Sequence, residues 1–167
     1  EDSIERKVSL NNNFAHLEYK DTKINLIDTP GYAAFVSHAR PALRVADCAL
    51  VIVDGVHGIE VQTEKTWQYA NEFMLPRFMV INKIDKEHAD FGHALETAAS
   101  SFARSIVPFT LPIGREGSFR GVIDVVHQKA YEFDPEGKAK AIGIPSEEKA
   151  LLDSTRERLI EIVAESD

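Results

Sequence analysis

Cysteine is nearly absent from this sequence, because only Cys48 among 167 residues carries a thiol. A single thiol excludes an intrachain disulfide and is typical of a protein from a reducing compartment. Cys48 begins the apolar run 48–54, where we expect it to be a small buried residue. Long apolar segments are also lacking, and the polar start of the chain has no secretory leader pattern. The sequence therefore predicts a soluble, cytoplasmic protein that does not span a membrane.

Positive charge is scarce as well, since 19 Lys and Arg stand against 27 Asp and Glu, for a net charge of −8. This balance offers no basic surface for a nucleic-acid backbone, so we expect no direct sequence-specific binding of nucleic acid. The pattern G-x-G-x-x-G is missing, and the six histidines lack clear metal-ligand spacing. An unrelated α/β metabolic enzyme stays open as an alternative, but we find no site for it. The 44% of apolar residues is enough for an ordinary globular core.

Three apolar runs, 24–29, 49–55 and 78–85, share one pattern, in which Ile, Val, Leu or Phe residues stop at Asp or Asn. Continuous apolar runs are typical of parallel strands that are covered on both faces. The segments between and after them, 33–46, 63–73 and 89–106, are predicted helices, and Pro41 should kink or break the first. The sequence therefore predicts an open α/β sheet. Ligands of such sheets bind beyond the carboxyl ends of the strands, where Asp28, Asp54, Asn82 and Asp85 fall.

The pattern changes after about residue 105. Proline and glycine separate two β-rich runs, 109–113 and 121–133, and a polar loop is predicted over 134–145. Ser146 is a predicted N-cap for a helix that reaches about Ala164, with Glu residues in its first turn. Leu152, Thr155, Leu159 and Ile162 share one helical face, and the opposite face is strongly acidic. We interpret this part as a small β-rich excursion followed by a helix.

Two short motifs follow predicted strands. Asp28-Thr-Pro-Gly31 is good turn chemistry by itself, and Asn82-Lys83-Ile84-Asp85 is plausible helix-capping chemistry. Their combination at the ends of separate strands matches the arrangement of GTP-binding domains, which favours a guanine-nucleotide site. A carboxylate such as Asp85 can accept hydrogen bonds from the N1 and N2 donors of guanine. Sites built on such pairing discriminate against the wrong ligand by a factor of roughly 10⁴ to 10⁵.

The other motif residues have complementary roles in this interpretation. Lys83 would lay its stem across the base, and Asn82 would tie the base loop to the phosphate loop. Asp28 would hold a magnesium ion through a water molecule, and Gly31 would offer its backbone N–H to a terminal phosphate.

With these motifs the chain resembles the translational GTPases, most closely bacterial elongation factor G. The resemblance covers nearly all of the sequence, from "ERKVSL" at 5–10, which is similar to the end of the first switch, to "VPFTLPIGREGSFRGVIDVVHQKAYEFD", which is similar to the start of the G′ insertion. By this match Ser9 occupies the position of the family's magnesium-binding threonine. The resemblance implies a ribosome-associated factor that uses GTP, Mg²⁺ and GTP hydrolysis to promote translocation, with GDP as product.

The chain departs from the family in three ways. The P-loop pattern G-x-x-x-x-G-K-[ST] occurs nowhere, no Ser-Ala dipeptide exists, and Tyr32 stands where the family has the histidine that helps order the attacking water. We therefore expect an internal piece of a larger protein: residues 1–105 as a partial GTP-binding domain and 106–167 as part of the G′ insertion. Alone, it should bind neither GTP nor GDP tightly. Tyr32 also leaves an alternative open, a non-hydrolysing GTP-binding paralogue that associates with the ribosome.

The expected fold is accordingly α/β: an incomplete Ras-like P-loop NTPase sheet, without its central first strand and P-loop, and a small α+β G′ insertion. Removing a central strand exposes the edges of its two neighbours, the strands at 24–28 and 49–54. Losing around five ladder hydrogen bonds at roughly 1 kcal/mol each is comparable to the stability of a whole domain. We expect the chain to close that gap, to swap with another copy, or to self-associate through the exposed sheet edges.

Overall fold

The computed structural model describes residues 9–102 and 106–165. Within these residues the chain forms eight strands, and they are β1 Asn13–Tyr19, β2 Thr22–Asp28, β3 Ala49–Asp54, β4 Arg77–Asn82, β5 Thr110–Ile113, β6 Gly121–Asp124, β7 Lys129–Phe133 and β8 Ala139–Ile142. Four α-helices accompany them, namely α1 Ala39–Val45, α2 Val61–Glu72, α3 Phe91–Ser101 and α4 Lys149–Ala164. Short 3₁₀ helices cover Ala33–His38, Glu116–Ser118 and Ser146–Glu148. The mixed α/β class is as predicted.

β1 and β2 form an antiparallel hairpin in which Asn13 pairs with Asp28 and Tyr19 pairs with Thr22. The two residues between the strands, Lys20 and Asp21, have φ values of 46° and 60°. Positive φ at both central residues is the geometry of a type I′ turn, whose twist matches that of the paired strands. The sequence predicted β2 but missed β1, because neither turn residue is the glycine or asparagine that usually signals such a turn.

β3 and β4 form a separate two-stranded sheet. The backbone N–H of Ala49 donates to the carbonyl of Pro76 at 2.9 Å, and that of Gly55 donates to the carbonyl of Asn82 at 2.8 Å. Both strands therefore advance in the same direction, and the pairing is parallel as predicted. Among the described residues β2 pairs only with β1, and β3 pairs only with β4.

Only one face of β3 is buried in the described chain. Leu50 and Ile52 are 62% and 54% exposed, whereas Ala49, Val51 and Val53 are buried. Successive side chains of a strand point to opposite faces, so these two sets lie on different faces of the sheet. The prediction that the apolar runs are covered on both faces is wrong for this strand, because packing within the described residues covers one face alone.

The helices α2, α3 and α4 lie close to their predicted positions, although their ends differ by a few residues. Pro41 lies in the first turn of α1, where a missing N–H interrupts no intrahelical bond. The expected break appears two residues earlier, where the 3₁₀ helix Ala33–His38 gives way to α1. Cys48 is exposed, so its predicted burial is wrong. None of the helices in the described residues has the length and apolar character of a membrane crossing.

Strands β5 to β8 form a four-stranded antiparallel sheet in sequence order. Its core consists of buried apolar residues from three of the strands, the turn after β6 and helix α4, and they are Leu111, Ile113, Ile123, Val125, Ala130, Leu152 and Leu159. Arg156 of α4 donates through Nη1 to the carbonyls of Val125 and Val126, at 3.1 and 2.7 Å. This contact satisfies carbonyl groups of the turn between β6 and β7.

Two sequence expectations in this part are wrong. The segment 134–145 was predicted as a loop but contains β8, which closes a hairpin with β7 across a turn that includes Gly137 at φ 81°. Ser146 was predicted as the N-cap of the last helix, but Glu148 precedes α4 and the Ser146 hydroxyl donates to the Glu147 carboxylate at 3.3 Å. Pro145 and Ser146 begin a 3₁₀ turn, so the α-helix starts a turn later.

The chain divides into two compact units. Unit 1 comprises residues 1–52 and 60–80, and unit 2 comprises residues 53–59 and 81–167. The two units are defined by contacts within the fold, whereas the predicted domain boundary at residue 105 comes from the resemblance to elongation factor G. That boundary lies outside the described residues, so it stays a prediction.

Candidate functional site

The polar residues expected beyond the strands lie at the strand ends. Asp28, Asp54 and Asn82 are the last residues of β2, β3 and β4, respectively. Asp85 follows three positions after Asn82 in the chain. In each case the polar residue ends a run of apolar residues, so the ends of these three strands could be predicted from the sequence.

Asp28 in unit 1 has two polar neighbours. Ser9 Oγ donates to Asp28 Oδ2 at 3.0 Å, and Asn13 Nδ2 donates to the same oxygen at 3.4 Å. The hairpin causes this arrangement, because its register places Asn13 opposite Asp28 at the open end. The contact between Ser9 and Asp28 brings together the two residues that the sequence assigned to magnesium.

Gly31 and Tyr32 lie in the loop that follows β2. A Cβ atom built on Gly31 would meet nothing within 4 Å, so packing in the described chain does not require glycine there. Tyr32 is 62% exposed, and its backbone carbonyl accepts a hydrogen bond from the N–H of Phe35 at 2.9 Å. The tyrosine ring is therefore not a core residue.

Residues 82–85, which we call the NKID loop, form a tight turn in unit 2. Asn82 Oδ1 accepts the backbone N–H of Lys83 at 2.9 Å, and the carbonyl of Lys83 accepts the N–H of Lys86 at 3.1 Å. Lys83 has a φ of 58°, which is unusual for a residue other than glycine. The Asp85 side chain is 57% exposed, with its Oδ2 3.6 Å from Lys86 Nζ. A bound molecule could therefore reach the Asp85 carboxylate.

Asp54 links the end of β3 to this loop. Its Oδ2 accepts a hydrogen bond from Lys83 Nζ at 2.7 Å, while its Oδ1 accepts the backbone N–H groups of Val56 and His57 at 2.8 and 3.3 Å. The hydrogen bond from Lys83 and then the one from Val56 hold the pKa of the Asp54 carboxyl well below its usual range. These contacts therefore favour the charged form of Asp54.

The structure thus groups the predicted residues into two sets. Ser9 and Asp28 meet in unit 1, and Asn82, Lys83 and Asp85 share one loop in unit 2. Sequence reasoning did not assign Asn13 or Asp54 to the site, although Asp54 had been noted as a strand end. Among the residues that the structure describes, no group of three or more His, Cys, Asp or Glu could hold a metal ion.

Two comparisons with known proteins bear on the family of this chain. Residues 1–164 match the family described as "Elongation factor Tu GTP binding domain". A crystal structure of a protein from Thermus thermophilus superimposes with a TM-score of 0.91 at 34% sequence identity, covering 99% of this chain and 24% of that one. The chain therefore spans about a quarter of the length of that relative. The chain belongs to the family of elongation factor Tu GTP-binding domains.

Proposed function

We propose that the chain is the guanine-nucleotide-binding part of an elongation factor G-like translation factor that promotes ribosomal translocation with GTP hydrolysis. The observation that carries this proposal is the NKID loop, which follows a parallel strand and presents the exposed Asp85 carboxylate. Within a family of GTP-binding domains, an exposed carboxylate at this position suits recognition of a purine edge.

For the base, we assign recognition to Asp85, Lys83 and Asn82. Asp85 would accept hydrogen bonds from the N1 and N2 donors of guanine, an edge that adenine does not offer. The Lys83 stem would cover the flat face of the base. Asn82 already holds the loop, since its side chain accepts the N–H of Lys83.

For Mg²⁺, the residues present fit the ion. Asp28 and Ser9 supply a carboxylate and a hydroxyl oxygen 3.0 Å apart, and oxygen atoms are the ligands that Mg²⁺ prefers. When bound, the ion neutralises charge on the phosphates of GTP or GDP. Gly31 has open space around its α-carbon, which suits close approach of a terminal phosphate to its backbone N–H. Tyr32 would lie nearest the attacking water.

For the domains and partners, we propose that residues 1–105 belong to the GTP-binding domain and 106–167 to the G′ insertion. The ribosome is the proposed partner, and the cytoplasm the proposed location. Because the sequence has no P-loop, nothing in it would cradle the phosphates, so the chain alone should bind neither GTP nor GDP tightly.

Guanosine binding by the 167-residue chain tests the base site without the phosphates. We expect guanosine to shift the amide resonances of the NKID loop with a Kd on the order of 1 mM, at least tenfold tighter than adenosine. Asp85→Asn should remove this preference, because asparagine has one acceptor oxygen and would place its NH₂ donor against a donor of guanine. Asp153→Asn, an exposed acidic position on α4, is the matched control and should leave the preference intact.

Two outcomes would contradict these assignments. If adenosine shifted the amide resonances of the NKID loop as much as guanosine does, the assignment of a guanine-specific base site would be wrong. Micromolar binding of GTP by the chain in calorimetry would show that our account of the missing P-loop is wrong.

Self-association is the second proposal about partners. Large apolar side chains of the hairpin and of β3 are partly exposed, and they include Leu17, Ile24, Leu26, Leu50 and Ile52. Burying such surface against another copy is favourable by roughly 25 cal/mol per Å². Sedimentation velocity between about 5 and 500 µM should show a concentration-dependent increase in mass. A monomer throughout that range would contradict the proposal.

A further inference from the structure

We propose that Asp54 is a positioning residue for the base site: it holds the ammonium of Lys83 and so fixes the lysine stem in the NKID loop. The inference rests on the proposed function of that loop, and it adds a residue that the motif itself does not contain.

The two carboxylate oxygens of Asp54 have separate tasks. Oδ1 accepts the N–H groups of Val56 and His57, which organises the turn after β3. Oδ2 accepts from Lys83 Nζ at 2.7 Å, which joins that turn to the NKID loop. The backbone adds another link, since the N–H of Gly55 donates to the carbonyl of Asn82 at 2.8 Å. Asp54 is therefore anchored to its own turn by hydrogen bonds that do not involve the lysine.

Lys83 is fixed at both ends of its side chain. Its backbone has a φ of 58°, and its N–H donates to Asn82 Oδ1, so the direction in which the side chain leaves the loop is set. Its ammonium is set by Asp54. The four methylene groups between these points then form a fixed apolar surface, the kind of surface against which a planar base can pack. Fixing a lysine in advance reduces the conformational entropy that binding would otherwise cost.

The ion pair between Lys83 and Asp54 is partly exposed to solvent, so its contribution to the stability of the fold should be small. The side chains of Lys83 and Asp54 are 56% and 18% exposed. Ion pairs with a solvated partner contribute little to the free energy of unfolding. Loss of the pair should therefore affect the NKID loop more than the fold.

Asp54→Asn is the variant of choice because it separates the two tasks. The amide keeps one carbonyl oxygen for Val56 and His57 but places an NH₂ group against the lysine ammonium. Asp124→Asn is the matched control. Asp124 also ends a strand and caps the following turn, where it accepts the N–H of His127 at 2.9 Å, and its side chain bonds to that histidine rather than to the NKID loop.

The first measurement is the mobility of lysine side chains in the 167-residue chain, from ¹³Cε NMR relaxation. Lys83 should be restricted in the wild type and in Asp124→Asn, and its mobility should rise in Asp54→Asn toward that of the exposed Lys65. A Lys83 that is already mobile in the wild type, or that stays restricted in Asp54→Asn, would overturn the proposal.

The second measurement is the Kd for guanosine. We expect Asp54→Asn to weaken guanosine binding about fivefold, consistent with the release of one flexible side chain. Asp124→Asn should bind guanosine like the wild type. Unchanged affinity in Asp54→Asn would overturn the positioning role. If the wild type binds no guanosine, the proposed function fails instead, and lysine mobility alone decides whether Asp54 fixes Lys83.

Discussion

Gly121→Ala is expected to lower the free energy of unfolding of the four-stranded sheet by about 3 kcal/mol or more. Gly121 is buried at the start of β6, and a Cβ atom there would overlap the backbone carbonyl of Tyr131 on β7. A backbone atom in a paired strand cannot rotate away, so the two strands must separate. The expected result is a midpoint of thermal unfolding about 10 °C lower, measured by circular dichroism.

Gly143→Ala is the matched control for this substitution. A Cβ atom at Gly143 would meet nothing within 4 Å, so this variant should be as stable as the wild type or slightly more stable. Equal midpoints for the Gly121 and Gly143 variants would mean that β6 and β7 can accommodate a methyl group between them. The described pairing of Gly121 with Glu132 would then be incorrect.

Tyr32→His is expected to raise ribosome-stimulated GTP turnover by about 100-fold in a translation factor that carries this sequence. An imidazole has two ring nitrogens through which it can order and polarise an attacking water, whereas a phenol offers a single hydroxyl and is a poor substitute. Tyr32 is 62% exposed, so its replacement should not disturb the core. Phosphate release at saturating ribosomes is the appropriate measurement.

Tyr19→His provides the control, because Tyr19 lies in the same unit and is 60% exposed. It should leave turnover unchanged. Wild-type turnover at the rates of ordinary enzymes, about 1 s⁻¹ or more, would eliminate the non-hydrolysing alternative. No increase in Tyr32→His, together with a slow wild type, would instead favour that alternative.

The ends of three strands could be predicted because Asp28, Asp54 and Asn82 each interrupt a run of apolar residues. The later helices were predictable from their apolar spacing. β1 was not, since its turn depends on Lys20 and Asp21 adopting positive φ, a conformation that their residue types do not signal. β8 was missed for a similar reason, because its short sequence of Ala, Lys and Ile has no clear strand pattern.

The candidate site was predictable in its motifs but not in its supporting contacts. Asp85 and Asp28 follow from the motif letters alone. The pairing of Asp54 with Lys83 depends on the register between β3 and β4, and the contact of Asn13 with Asp28 depends on the hairpin. Sequence motifs do not show how two strands are aligned, so contacts of this kind become visible only in the three-dimensional structure.

The hairpin also bears on the order in which the chain acquires structure. Ser9 and Asp28 are nineteen positions apart, yet the hairpin with its two-residue turn places Asn13, four positions after Ser9, opposite Asp28. Hairpins of this kind close within about 1–10 µs, far faster than elements that depend on distant segments. During synthesis the two proposed magnesium ligands could therefore come together as soon as β2 leaves the ribosome, before any residue of the NKID loop has been translated.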